Sequence, residues 1–156
     1  MDKNVFLTAK AAVTALCAAF SAAFGWLGWL VVAWVACMAL DWLTGSGAAC
    51  ARGEWCSATA RAGIWHKCGM IATVIVAAMA DAVLHVMLQH LPGMALAAPA
   101  LVTPVVLVWY IFTELGSVAE NAIEMGANVP EPLVRLLKAG RDAANNALPK
   151  DNSEQP

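Results

Sequence analysis

The chain has 156 residues, 61% of them hydrophobic and 13% charged, with a formal net charge of -2. Soluble domains run near half apolar and a quarter charged, so a chain this short cannot hide its apolar side chains in one water-soluble core. The charge excludes a nucleic-acid partner, because phosphate recognition needs a clustered basic face.

From Ala11 to Leu40 the ionisable side chains are the two thiols Cys17 and Cys37, and Met70 to Phe112 carries Asp81, His85, His90 and Tyr110 alone. A helix crosses a hydrocarbon core of about 30 Å with roughly 20 apolar residues. The fold expected is all-α, an integral membrane helical bundle of three to four transmembrane helices plus a C-terminal amphipathic helix. The first helix is predicted over about 5–24, rich in Ala. Lys3 and Lys10 ahead of it have the order of a signal peptide, but the apolar run continues past Trp26 to Leu40, which favours a retained helix. Gly25-Trp26-Leu27-Gly28 reads as a tight connection. The second helix is predicted over 29–44, ended by Gly45-Ser46-Gly47. A polar loop with Arg52, Glu54 and Arg61 follows, and the third helix is predicted over 63–89. His90 to Pro99 reads as a loop and 101–121 as the fourth helix, with Pro104 tolerable in its first turn. After Val129-Pro130 an amphipathic helix is expected from Glu131 to about Leu148, then a disordered polar tail. The domain division is therefore 1–128, transmembrane, and 129–156, cytoplasmic.

Lysine and arginine set the orientation. Arg52, Arg61 and Lys67 border the central loop, Arg135, Lys138, Arg141 and Lys150 follow the last span, and the 90–100 loop has none. Positive charge stays in the cytoplasm, so the central loop and the C-terminus are expected inside. Lys3 and Lys10 favour an inside N-terminus, which requires four crossings. A first helix lying flat on the outer surface gives three.

Ionisable residues within spans are functional candidates because each is costly in lipid. Thr73, Ala77, Asp81 and His85 recur at four-residue steps, with Asp81 and His85 in reach of each other. This stripe reads equally as the lining of a water-filled lesion and as a helix-packing seam. Tyr110, Glu114, Ser117, Asn121 and Glu124 form a second stripe. Trp26, Trp29, Trp42, Trp65 and Trp109 are expected near helix ends. Glu114 lies deep enough to need Lys67 or Arg61. Asp41, near Thr44 at the end of the second helix, opposes the helix dipole and needs a basic partner, with Lys67 nearest by topology. The five cysteines are odd in number and read as reduced thiols. Cys50, Cys56, His66 and Cys68 share one region, but their spacing fits no zinc pattern. No metal, cofactor or catalytic residue is expected, since no His-x-x-x-His pair, phosphate loop or nucleophile elbow occurs.

Two stretches carry a resemblance. Asp41-Trp42-Leu43-Thr44-Gly45 closes one apolar helix and Gly63-Ile64-Trp65-His66-Lys67 opens the next. Later, Thr113-Glu114-Leu115-Gly116-Ser117-Val118-Ala119-Glu120-Asn121 leads to Gly126-Ala127-Asn128-Val129-Pro130. Over roughly residues 27 to 140 the chain resembles the toxin-secretion/phage-lysis holin family. That family shows an Asp-aromatic-x-Thr-Gly motif, a Gly-x-x-x-Lys helix start, and an Asn-Glu-x-x-Ser-x-x-Glu-Asn segment before a Gly-x-x-x-Pro turn. Thr113 stands where Asn is common, and His66 where Lys is common. The resemblance singles out Asp41, Trp42, Thr44, Gly45, Gly63, Lys67, Glu114, Ser117, Glu120, Asn121, Gly126 and Pro130. It implies a non-enzymatic protein of the bacterial cytoplasmic membrane. Such a protein forms homo-oligomers and opens lesions that release an endolysin or a signal-less toxin, with an antiholin as a further partner. Two other readings stand beside it: a small ion-coupled transporter or channel using Asp81 and Glu114, and an antiholin-like regulatory subunit that opens nothing.

Overall fold

The computed structural model describes residues 3–90 and 100–147, and helices are their sole regular elements. Four helices follow in order: α1 (Lys3–Ala51), α2 (Ser57–His90), α3 (Val102–Glu124) and α4 (Glu131–Ala147). Three of them, over Val5–Ala51, Gly63–His90 and Val102–Glu124, are long and apolar enough to cross a membrane. The 91–99 loop and the tail beyond Ala147 lie outside the described residues.

The first two predicted helices are one element with a sharp break. Gly25 has φ +60° and ψ -155°, a conformation open to glycine and strained for other residues. The bend brings the Trp29 indole N–H to the Ser21 hydroxyl at 2.8 Å and the Phe20 and Trp29 rings to 5.1 Å. Straight helix would hold residues eight apart about 12 Å away from each other. From Val5 to Phe24 every side chain but Phe20 is exposed, so this arm leans on the rest of the chain only at the bend.

The expected end of the helix at Gly45-Ser46-Gly47 is corrected: α1 runs on to Ala51. Its stop is Gly53, at φ +71°, where the N–H groups of Gly53 and Glu54 turn back to the carbonyls of Cys50 and Ala49. Gly45 and Gly47 serve close approach instead. A Cβ on Gly45 would stand 3.4 Å from Asn121 Nδ2, and one on Gly47 3.0 Å from Met125 Sδ. α2 likewise starts six residues before the expected Gly63, because the alanines and the arginine of Ser57-Ala58-Thr59-Ala60-Arg61-Ala62 are strong helix formers.

Partner numbers fix the topology. Trp34 stacks on Tyr110, Asn121 meets Thr44, and Gly47 faces Met125, so the second arm of α1 runs parallel to α3. Lys67 meets Glu114 and Asp81 meets Val102, so α2 runs antiparallel to both. α3 is the hub. None of its residues from Val102 to Ala119 is exposed, and α1, α2 and α4 each pack directly on it. Trp34, Met38, Met70, Leu107 and Tyr110 form the core, with Leu107 fully buried. Trp109 is corrected from a helix-end position to the middle of α3, packed against this core. Among helices in lipid, such contacts gain by close packing rather than by leaving water.

α4 folds back along α3 after a turn at Gly126, whose φ is +87°. Val134, Leu137, Gly140 and Ala144 make its inner seam, while Arg135, Lys138, Arg141 and Asp142 point outward. Gly140 is in direct contact with the Phe112 ring, leaving no room for a Cβ. Replacing Gly140 with Leu is expected to loosen α4 at a cost of about 1–3 kcal/mol through overpacking. Limited proteolysis of the 125–131 turn in the detergent-solubilised protein would read this as faster cleavage, while unchanged cleavage would refute the seam.

Candidate functional site

Midway along α3 the bundle encloses a polar layer. α2 supplies Lys67, α1 supplies Asp41 and Thr44, and α3 supplies Glu114 and Asn121. Lys67 Nζ donates to Asp41 Oδ2 at 2.9 Å and to Glu114 Oε2 at 2.6 Å. The Glu114 side chain is 4% exposed, Lys67 16% and Asp41 22%. Asn121 Nδ2 donates to Asp41 Oδ1 and to the Thr44 hydroxyl, each at 3.2 Å. The Thr44 hydroxyl itself donates back to the Leu40 and Asp41 carbonyls. Gly45 leaves the space in which the Asn121 amide sits.

The arrangement answers a local problem in each helix. Asp41 and Glu114 each place a carboxylate within an apolar surround, and one ammonium meets both. Two acids and one base leave the layer one negative charge in excess when all are ionised. Charge-assisted bonds of this kind are short and strong, and they hold three helices in one register. An ion pair of this burial gains little over a well-packed apolar replacement, but removing a single member strands the others.

A second polar contact stands at the opposite end of α3. Asp81 on α2 reaches across to the start of α3, where Oδ1 accepts from the Leu101 and Val102 N–H groups at 3.0 and 2.8 Å and Oδ2 from Thr103 N–H at 2.8 Å. These are the N–H groups that a helix cannot satisfy itself, and the local capping residue, Leu101, has no side-chain oxygen. Asp81 is thus an N-cap supplied by another helix.

The stripe read from sequence is divided in the fold. Ala77 is buried and Asp81 is bound to α3. Thr73 is exposed and bonds its own helix at the Gly69 carbonyl, and His85 is exposed and bonds Gln89 at 2.8 Å rather than Asp81. The motif residues divide as well. Asp41, Thr44, Gly45, Lys67, Glu114 and Asn121 build the central layer. Trp42 and Gly63 border a crevice beside it. Ser117 and Glu120 face the α3–α4 seam, and Gly126 with Pro130 forms the turn into α4. Of the second stripe, Tyr110 belongs to the core, and exposed Glu124 is bonded to Arg52. Among the described residues no group of three or more His, Cys, Asp or Glu side chains could hold a metal ion.

The fold and its internal polar layer define a multi-pass helical membrane protein. The chain belongs to the bacteriophage holin family, whose model matches residues 18–142. No curated protein and no solved structure matches it.

Two substitutions test these contacts. Lys67→Met is expected to cost about 3–5 kcal/mol by leaving Asp41 and Glu114 uncompensated, and adding Asp41→Asn with Glu114→Gln should restore most of it. Thermal unfolding in detergent reads both, and a single variant as stable as the triple one would contradict the layer. Asp81→Ala removes three bonds to a helix start and is expected to cost about 2 kcal/mol, Asp81→Asn less, since one accepting oxygen remains. Amide hydrogen exchange at residues 101–103 should rise in both variants, and more in Asp81→Ala than in Asp81→Asn.

Proposed function

We propose that this chain is a holin that accumulates in the bacterial cytoplasmic membrane, assembles with further copies of itself, and opens lesions. Through these a cytoplasmic endolysin or a signal-less toxin leaves the cell. Family membership over residues 18–142 carries this reading. The surface of the fold supports it. Large apolar side chains are exposed on α1 and α2 along their length, from Val5 and Leu16 to Val83 and Met87, as contact with lipid or with other copies requires.

In this reading the basic end of the bundle, with Arg52, Arg61, Lys67 and α4, faces the cytoplasm. The arm before Gly25 is the fourth crossing, since an apolar helix exposed all round needs lipid or protein about it, and Lys3 and Lys10 mark an inner end. No catalysis is involved, and no metal or cofactor. Within a single chain the carboxylates of the spans, Asp41, Asp81 and Glu114, are bonded to groups on neighbouring helices, so the protein can dwell in the membrane without admitting water. A lesion lined by the Ala77–Asp81 stretch would require α2 and α3 to separate, breaking the bonds from Asp81 to residues 101–103.

The deciding experiment is controlled expression in a bacterium that also makes a signal-less muralytic enzyme in its cytoplasm, with turbidity followed against cells lacking either protein. Abrupt lysis that depends on both proteins is expected. Continued growth, with the protein recovered in the membrane fraction, would sink the lesion reading and favour an antiholin-like regulator or an ion-coupled transporter.

A further inference from the structure

α1 and α2 scarcely touch each other; each is held through α3, and Lys67 reaches across to Asp41. Two cavities occupy the space left between them. One is an apolar groove of about 580 Å³ walled by Val35, Met38, Leu43, Ile64, Cys68 and Ile71. The other, towards the basic end, is a crevice of about 270 Å³ bordered by Ser46, Arg52, Trp55 and His66. Trp42 and Lys67 line both, so the two meet end to end.

The meeting point has a defined depth. On α2 the ionisable residues Arg61, His66 and Lys67 come in quick succession, and beyond Cys68 none follows until Asp81. Trp42, Trp55 and Trp65 are all well exposed near this level, as tryptophans at a lipid–water boundary are. The groove therefore lies on the hydrocarbon side and the crevice on the headgroup side.

We propose that the joined cavities hold one phospholipid, with an acyl chain in the groove and the phosphate in the crevice. Phosphate oxygens need donors, and the crevice has uncommitted ones. Arg52 gives Nε to Glu54 at 2.9 Å and Nη1 to Glu124, which leaves Nη2 free. Those two carboxylates also raise the guanidinium above its ordinary value, so it stays charged at every relevant pH. Its free Nη2 can donate to a phosphate oxygen. The Ser46 hydroxyl and the His66 ring have no partner among the described residues. Asp41, the acid at the back, is already bonded to Lys67 and Asn121.

A flexible chain of methylenes suits the apolar groove, and a phosphate supplies acceptors for the unpartnered donors of the crevice. The bound lipid would then join α1 to α2 where protein contact is sparse, in the intact membrane and whether or not lesions form.

Native mass spectrometry of the full chain tests this, after reconstitution in vesicles of phosphatidylglycerol and phosphatidylethanolamine in equal amounts. One phospholipid retained per chain is expected. Ala39→Trp, which fills the groove, should reduce retention roughly tenfold, and Arg52→Glu should reduce retention of the anionic lipid by a similar factor. Wild-type chain that retains none overturns the proposal. So does Ala39→Trp with unchanged helix content and unchanged retention, since the lipid would then be merely peripheral. Should that variant fail to fold, Ile71→Trp on the facing wall gives the same reading. Oxidative cross-linking of Cys68 between copies in the vesicles, through a groove closed to lipid, would assign the space to a second copy instead.

Discussion

The bundle is organised around one ammonium group. Lys67 enters from α2 between Asp41 of α1 and Glu114 of α3, and among the described residues those three helices share no other polar contact of comparable depth. In water such a cluster would contribute little. Between helices otherwise clad in Ala, Val, Leu, Ile and Met it decides register, because sliding any one helix by a turn would leave a carboxylate or the ammonium alone in an apolar setting. Packing cannot do this by itself. Alanine-rich surfaces are smooth, and lipid tails compete with them on nearly equal terms. Asn121 extends the same layer, donating to Asp41 Oδ1 and to the Thr44 hydroxyl.

α3 follows from that layer as the central element. Its far end is tied by Asp81, and its outer flank is covered by α4, so each helix of the chain meets the others chiefly through it. Counting back eight residues from the Trp34–Tyr110 contact reaches Trp26 and Val102, so the Gly25 bend stands level with the start of α3. α2 continues for nine more residues, about 13 Å, from Asp81 to His90. The closely packed part of the fold thus ends at the plane of Asp81 and Gly25. The last turns of α2, and the arm of α1 before the bend, present most of their side chains outward.

Much of the site was legible, for a reason of charge. Asp41 and Glu114 stood in apolar runs with no neighbour on their own helix to neutralise them, and Lys67 was the base that topology brought within reach of both. Asp81 was visible as an intramembrane acid, but its role was not. Its partners are backbone N–H groups of another helix, and backbone donors leave no mark in a sequence. His85 was drawn towards Asp81 by spacing alone, whereas an i,i+4 glutamine on its other side was the partner the fold supplied. Gly45 and Gly47 were read as stops because glycine lowers helix stability, yet here the missing side chains admit Asn121 and Met125.

By itself the sequence determined that the chain is helical, that it belongs in a membrane, where its apolar runs fall, and which acids need a base. These follow from composition and from the cost of charge in hydrocarbon, and both are sums over residues. The tertiary structure alone decided that α1 is one bent helix, that α3 lies at the centre, that α4 turns back to cover it, and that α1 and α2 leave a cavity between them. Those outcomes depend on which surfaces come close enough to touch. That is settled by shape at contacts between distant residues, where a glycine, a phenylalanine ring or a free N–H group counts for more than any average along the chain.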